Sequence, residues 1–347
     1  VDASLLLSLT DRVAALATPS AMHPDAWPLG ERVDGWARGR GLILGDPDGS
    51  PLGRGRFERL AARVFPTADL DRVDLFARWL TWAFALDDTL DQEPLAGSAT
   101  AVHELYEDLL RAMRLGHARP GARPLETTLV ELWDVTATRM DREWRRRFML
   151  HMEAHRTGCA QEAVNRRTGR VPVPREYAGL RRRAAAPFLY DLIEPVLGVV
   201  LADRLTTSPQ WVILTEGIAD VVAWSNDIAS FTMEHARDDA HNLVAVLCHG
   251  SGCEPDDAAA MVLDRIVERL DEVQEALRAM PATMDRLELS AEQRQTASQI
   301  ARVLLATPRA HVDWLTESGR YNASADATAT ASGHRPPRLD TLSHLRP

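Results

Sequence analysis

The 347-residue chain is 45% hydrophobic and 26% charged, with 20 Gly and 20 Pro, a balance that excludes both a disordered and a fibrous polymer. Its formal charge of −10 with no sustained basic block argues against nucleic acid as a partner. All 40 basic residues are arginine, so Schiff-base lysines, lysine general bases and a phosphate-loop lysine are excluded.

The pattern along the chain predicts an all-α fold. Residues 1–50 read as an irregular segment packed on the domain, because Pro19, Pro24, Pro28, Pro47 and several glycines interrupt every period. The opening Leu5-Leu6-Leu7-Ser8-Leu9 lacks the basic flank of a signal peptide, and no apolar run reaches the roughly 20 residues of a membrane span. A cytoplasmic protein without stable membrane insertion is the expectation. Only Cys159, Cys248 and Cys253 are present, which fits a reducing compartment and no zinc site. From Arg56, Leu60, Val64, Val73, Phe76, Leu80 and Phe84 fall mostly at helical spacings. Further helical stretches are expected around 98–115, 125–165, 187–204, 208–236, 254–280 and 289–320, within one domain spanning 51–321. Residues 322–347, rich in Ala, Ser, Thr and Pro, predict a disordered tail.

Two constellations carry chemistry. Asp87-Asp88-Thr89-Leu90-Asp91 closes an apolar helix, and Asp87 and Asp91 lie about 40° apart on one face, close enough to bridge a hard divalent cation. Such a cluster opposes the helix dipole and calls for a compensating positive charge. The second is Asn226-Asp227-Ile228-Ala229-Ser230-Phe231-Thr232-Met233-Glu234, where Asn226, Ser230 and Glu234 stand four residues apart in succession. An amide, a hydroxyl and a carboxylate oxygen on one helical line suit Mg²⁺ better than a transition metal. Arg237 falls within about 20° of Asn226 by the same periodicity, where it could meet an anion bound to that metal. Two facing Mg²⁺ sites need a polyanion between them, and Arg181-Arg182-Arg183 and Arg320-Tyr321 offer arginine forks for it. Other features resolve to structure: His151 and His155 lack the adjacent glutamate of a zinc protease, Asp46-Pro47-Asp48-Gly49 reads as a turn, and Asp238-Asp239 as the start of a helix.

With both motifs in this order, the sequence resembles a bacterial class I terpene synthase over roughly residues 20–322. Asp87 to Asp91 matches the aspartate-rich motif, Asn226, Ser230 and Glu234 the NDxxSxxxE triad, and Arg320-Tyr321 after Trp314 the C-terminal RY pair. His23-Pro24, Glu162-Ala163-Val164-Asn165-Arg166 and His241-Asn242-Leu243-Val244 also read like family stretches.

The resemblance implies a single helical bundle around a central cavity and an isoprenoid diphosphate substrate, farnesyl diphosphate first, with geranylgeranyl and geranyl diphosphate as alternatives. It implies three Mg²⁺, with Asp87 and Asp91 on one side and Asn226, Ser230 and Glu234 on the other. Arg182, with Arg181 as the alternative register, would sense the diphosphate, joined by Arg237, Arg320 and Tyr321. Phe84, Phe188, Trp224 and Trp314 would steer the cation, and a homodimer is left open.

Two positions depart from the family pattern. Met233 stands where many members carry lysine, with Arg237 as a replacement contact, and Ala184-Ala185-Ala186-Pro187 stands where a helix-break glycine is common, with Pro187 as the expected breaker. Rival readings are a non-catalytic isoprenoid-diphosphate-binding protein and a chain-elongating prenyltransferase. The latter would carry a second aspartate-rich motif in place of the Asn226 triad.

Overall fold

The computed structural model describes residues 20–237 and 239–320, and among these every regular element is helical. The first half comprises α1 (Ala26–Gly39), α2 (Pro51–Arg54), α3 (Phe57–Val64), α4 (Leu70–Leu90), α5 (Ala99–Leu115), α6 (Pro124–Ala137) and α7 (Arg142–Thr168). The second half comprises α8 (Pro174–Ala184), the short α9 (Phe188–Asp191), α10 (Ile193–Leu197) and α11 (Asp203–Thr206), then α12 (Pro209–His235), α13 (Leu243–Ser251), α14 (Pro255–Arg286) and α15 (Ala291–Glu317).

The long helices begin where the sequence offers an acceptor to their unpaired N–H groups. Asp69, Asp141 and Ser208 each cap the third residue on, and Ser290 with Gln293 forms a reciprocal capping box before α15. α4 and α12 carry the two polar motifs and are apolar around most of their circumference, so both must be enclosed. α4 packs against α1, α3 and α6, while α12 lies along α14 and α15. Beneath α4, Trp79, Trp82, Trp133, Trp144, Phe148 and Phe188 form an aromatic cluster with ring centroids between 5.1 and 6.3 Å apart. Its three most buried indoles keep their N–H groups satisfied: Trp79 donates to Thr136 Oγ1 (3.0 Å), Trp82 to Leu125 O (2.8 Å) and Trp144 to Asp191 O (2.9 Å). No helix among the described residues is long and apolar enough to cross a membrane.

Four expectations about helix extent need correction. Residues 20–50 are not irregular throughout, since α1 buries Leu29, Val33, Trp36 and Ala37 at helical spacing. Pro28 lies in the first turn of α1, where a missing N–H costs nothing. The stretch 125–165 is two helices because Asp141 starts a new one, its side chain accepting from Trp144 N (2.8 Å). The stretch 187–204 breaks into α9, α10 and α11, with Gly198 at φ +70° closing α10. Its backbone conformation favours glycine, since a Cβ there would meet only the movable guanidinium of Arg72. Finally, α14 runs through Pro281 to Arg286, because Thr283 and Met284 continue its buried face. Residues 322–347 lie outside the described residues.

Candidate active site

The C-terminal end of α4 and the second half of α12 each bring one motif residue to a shared cavity, Asp87 and Asn226, whereas Asp91, Ser230 and Glu234 do not line it. Asp87, on the last turn of α4, keeps 56% of its side chain accessible although protein surrounds it, because the open side faces the cavity. That enclosure pushes its carboxyl above the usual range, with Arg320 opposing the shift. Asp88 takes the fork of Arg320, Nη2 to Oδ1 at 2.6 Å and Nη1 to Oδ2 at 3.2 Å, and the same guanidinium reaches Asp87 Oδ2 at 3.6 Å. Here is the positive charge that the acidic helix end requires, and its guanidinium also lies 5.1 Å from the centre of the Phe84 ring. Asp91 is the residue that ends α4 and meets Arg166 Nη2 at 3.3 Å. Surrounding protein, then the neighbouring Asp87, pushes Asp91 up to about 7, although 41% of its side chain stays exposed.

On α12 the ladder takes the expected line. Ser230 Oγ donates to Asn226 O (2.8 Å), and Glu234 Oε2 accepts from Asn242 Nδ2 (2.8 Å). Glu234 is also pushed up to about 7, by burial and then by Asp227. Asp227, between the ladder positions, has a side chain with 0% exposure and anchors the site from beneath. It accepts from Arg181 Nε (2.9 Å), Tyr177 OH (2.8 Å) and Leu243 N (3.0 Å). Arg181 Nη2 then reaches Asn226 Oδ1 at 3.1 Å, and Arg181 lines the cavity.

This arrangement corrects the preferred register of the arginine run. Arg182, about 100° further round α8, turns to the outside of α12, where its Nε and Nη2 donate to Asp220 at 2.8 and 2.9 Å and its Nη1 reaches Glu216. It does not line the cavity, and Arg181 does. Arg237 is likewise misplaced by periodicity, because α12 ends at His235 and Arg237 sits in the following turn with an exposed side chain. Tyr321 lies outside the described residues. Asp239 starts no helix: Asn242 caps α13, while Asp239 accepts from Arg166 Nη2 (2.9 Å) and from His241 N (2.9 Å). Asp238 lies outside the described residues. An Asp91–Arg166–Asp239–His241 chain therefore links the end of α4 through α7 to the turn before α13, and only the family-like stretches around Arg166 and His241 hinted at it.

The cavity has an empty volume of about 1020 Å³ including its mouth. Beyond Asp87, Asn226 and Arg181 its walls are mostly apolar, drawn from α3 (Leu60, Val64), α4 (Phe76, Leu80, Phe84), the 184–193 segment, α12 and α15. Of the four aromatic candidates only Phe84 lines it, stacked on Phe57 at 4.2 Å. Phe188 is fully buried in the aromatic cluster beneath α4. Trp224 packs in a second core with Tyr177, Val221 and Leu243, and Trp314 is buried against Phe57 with its N–H on Gly55 O (2.8 Å). Helical spacing alone does not separate a cavity wall from a core. Two histidines the motifs did not include, His155 and His311, do line the cavity, and burial pushes them down to about 4 and about 3, so both are neutral. His155 spans Tyr106 OH (2.7 Å) and Ala184 O (3.0 Å), whereas His151 pairs with Asp191 (2.6 Å), so the two share no metal position.

The break between α8 and α9 comes at Ala185 and Ala186, before Pro187. Ala186 takes φ +49°, the left-handed conformation that glycine adopts without cost. Gly158 of α7 permits this segment to approach: a Cβ there would lie 2.7 Å from Ala184 N.

Whether the oxygens fit a divalent cation is decided by their chemistry. Two carboxylates on one helix and an amide, a hydroxyl and a carboxylate on the other form a hard set with no sulfur or imidazole. Arginines from elsewhere reach both sets, Arg320 and Arg166 on α4 and Arg181 on α12, so each already attracts positive charge. The sets remain separate, since among the described residues no three His, Cys, Asp or Glu side chains converge on one metal position. The donors fit Mg²⁺.

Comparison with known proteins follows the same lines. The family model described as terpene synthase family 2, C-terminal metal binding, matches residues 78–272. The (−)-delta-cadinene synthase of Streptomyces clavuligerus is 30% identical over 280 residues, 80% of this chain and 85% of that protein. The 7-epi-alpha-eudesmol synthase of Streptomyces viridochromogenes, described as (2E,6E)-farnesyl diphosphate cyclizing, is 28% identical over 280 residues, 78% of this chain and 80% of that protein. A crystal structure of linalool/nerolidol synthase from Streptomyces clavuligerus in complex with 2-fluorogeranyl diphosphate shares the fold, with a TM-score of 0.77 at 23% identity over 88% of this chain and 99% of that one.

Proposed function

The chain belongs to terpene synthase family 2 as a bacterial class I terpene synthase, and from that premise we propose that it ionises and cyclises farnesyl diphosphate to a sesquiterpene with three Mg²⁺ ions. Its family makes it a divalent-metal enzyme acting on an isoprenoid diphosphate. The observation that carries the finer reading is a single cavity with Asp87, Asn226 and Arg181 at one end and a mostly apolar remainder. A relative that cyclises farnesyl diphosphate supports the chain length.

In this reading Asp87 and Asp91 hold metal from α4, and Asn226, Ser230 and Glu234 hold it from α12. Bound there, Mg²⁺ supplies positive charge that stabilises the departing diphosphate. Arg181, fixed by Asp227, donates to that diphosphate from the α12 side, and Arg320 does so from the α4 side. Arg166 keeps Asp91 and Asp239 together. The allylic cation reacts with any water that reaches it, so the apolar walls protect it once the diphosphate leaves. Phe84 adds an aromatic ring to the wall of the same cavity.

Diphosphate release from farnesyl diphosphate tests this directly. Release in Mg²⁺ that stops in EDTA and returns on adding Mg²⁺ supports the reading, and release that ignores EDTA refutes it.

A further inference from the structure

A second, larger recess lies behind the active-site cavity, with an empty volume of about 1480 Å³ including its mouth. Its position follows from the helices that line both spaces. Along α12, Asn226, Ala223 and Val222 face the active-site cavity, and one turn further from the metal end Ala219 and Thr215 face the recess. Along α15, His311 and Thr307 face the first, and Leu304 and Ile300 the second. On these two helices the recess lies farther from Asp87 and Asn226 than the cavity does, while on α8 Gly179, Arg182 and Arg183 line it on the side turned away from Arg181. Tyr190, in α9, is the single residue among those described that lines both.

The two spaces differ in chemistry. Leu189 and Ile193, on either side of Tyr190 in sequence, give the first an apolar lining. The second contains ionic groups: Arg147 Nε meets Asp191 Oδ1 at 2.9 Å, His151 Nδ1 meets Asp191 Oδ2 at 2.6 Å, and Arg182 joins Glu216. Side chains along it reach solvent, with Arg146 61% and Asp203 45% exposed. Such a recess holds water.

We propose that Tyr190 is the plug between this water and the distal end of the isoprenoid chain, so that its ring bulk determines whether the cyclised cation ends as a hydrocarbon or as an alcohol. The inference rests on the farnesyl diphosphate reading above. With the diphosphate at Asp87 and Asn226, the chain reaches toward Tyr190 with its terminal isopropylidene end. If the plug is removed, a water oxygen donates a lone pair to the cationic tertiary carbon there, a C–O bond forms, and the surplus proton passes to solvent through the recess. The product is then a neutral alcohol bearing a 2-hydroxypropan-2-yl group in place of the alkene that proton loss would give.

The test is turnover of farnesyl diphosphate with Mg²⁺ in ¹⁸O-labelled water, with products resolved by gas chromatography and mass spectrometry. Tyr190→Ala should raise the share of product carrying ¹⁸O at that distal carbon at least fivefold over wild type, and Tyr190→Phe, which keeps the ring, should match wild type. Tyr190→Leu, a smaller loss of volume, gives the same reading should the alanine variant not fold. Folded variants that turn over with an unchanged ¹⁸O share overturn the proposal, as does a Tyr190→Phe that raises it as much as Tyr190→Ala, because the hydroxyl rather than the bulk would then matter. A wild type that releases no diphosphate overturns the catalytic reading itself, and this inference with it.

Discussion

Arg181 and Arg182 are adjacent, both form ion pairs, and the structure assigns them opposite consequences. Arg181→Ala removes the charge partner of Asp227, a carboxylate with 0% exposure, and removes a donor from Asn226. Breaking a buried pair costs about 3–5 kcal/mol. Because Tyr177 OH and Leu243 N still donate to Asp227, about 3 kcal/mol is expected here. With an unfolding entropy of about 2.1 cal/mol/K per residue over this chain, that lowers Tm by about 4 °C. Turnover should fall by about 10²–10³, the cost of losing one preorganised donor to developing negative charge. Arg182→Ala removes two donors from buried Asp220, which keeps Arg269 Nε at 2.9 Å, and a bond to the half-exposed Glu216, so about 2 kcal/mol and a turnover within threefold of wild type are expected. Thermal melts by circular dichroism and Mg²⁺-dependent diphosphate release measure both quantities. A larger loss of turnover in Arg182→Ala than in Arg181→Ala would refute the assignment.

Further outcomes follow from the same geometry. Asp87→Ala and Asn226→Ala should each lower Mg²⁺-dependent release by at least about 10²-fold with a Tm close to wild type; near-normal rates in either contradict the metal arrangement. Ala186→Gly should raise stability by about 0.5–1 kcal/mol, the left-handed penalty at φ +49° less the entropy of glycine, and a melt showing no gain means that the backbone there is not strained. Glu194, buried against Arg147 and Leu201 N, is pushed up to about 7 by burial despite that arginine. A raised carboxyl contributes stability that is fully present below about pH 4.5 and is lost as pH rises through about 7. The Tm difference between wild type and Glu194→Gln should therefore move against wild type across that window, and a constant difference contradicts the shift.

The sequence made the motifs legible because each lies on one continuous helix, where about 100° per residue decides which side chains share a face. Asn226, Ser230 and Glu234 are of this kind, as are Asp87 and Asp91. What it left open depended on partners distant in sequence. Three consecutive arginines sample three directions, and only Asp227 on one side and Asp220 on the other distinguish Arg181 from Arg182. Arg237 failed because periodicity stops where the helix does, at His235. Phe188 and Phe84 have the same residue type and helical context, but one is surrounded by the aromatic cluster and the other borders the cavity. Tyr190 had no local signal at all, since its position matters only once α12 and α15 are placed beside it. The helix at Ala26–Gly39 was hidden by counting Pro28 as a breaker when it occupies a first turn.

The most direct measurement is incubation of the purified protein with geranyl, farnesyl and geranylgeranyl diphosphates separately, with and without Mg²⁺, followed by gas chromatography and mass spectrometry of the extract. The account predicts a Mg²⁺-dependent C15 hydrocarbon or alcohol from farnesyl diphosphate. Intact substrate in all three incubations, or product from geranylgeranyl diphosphate alone, would contradict it.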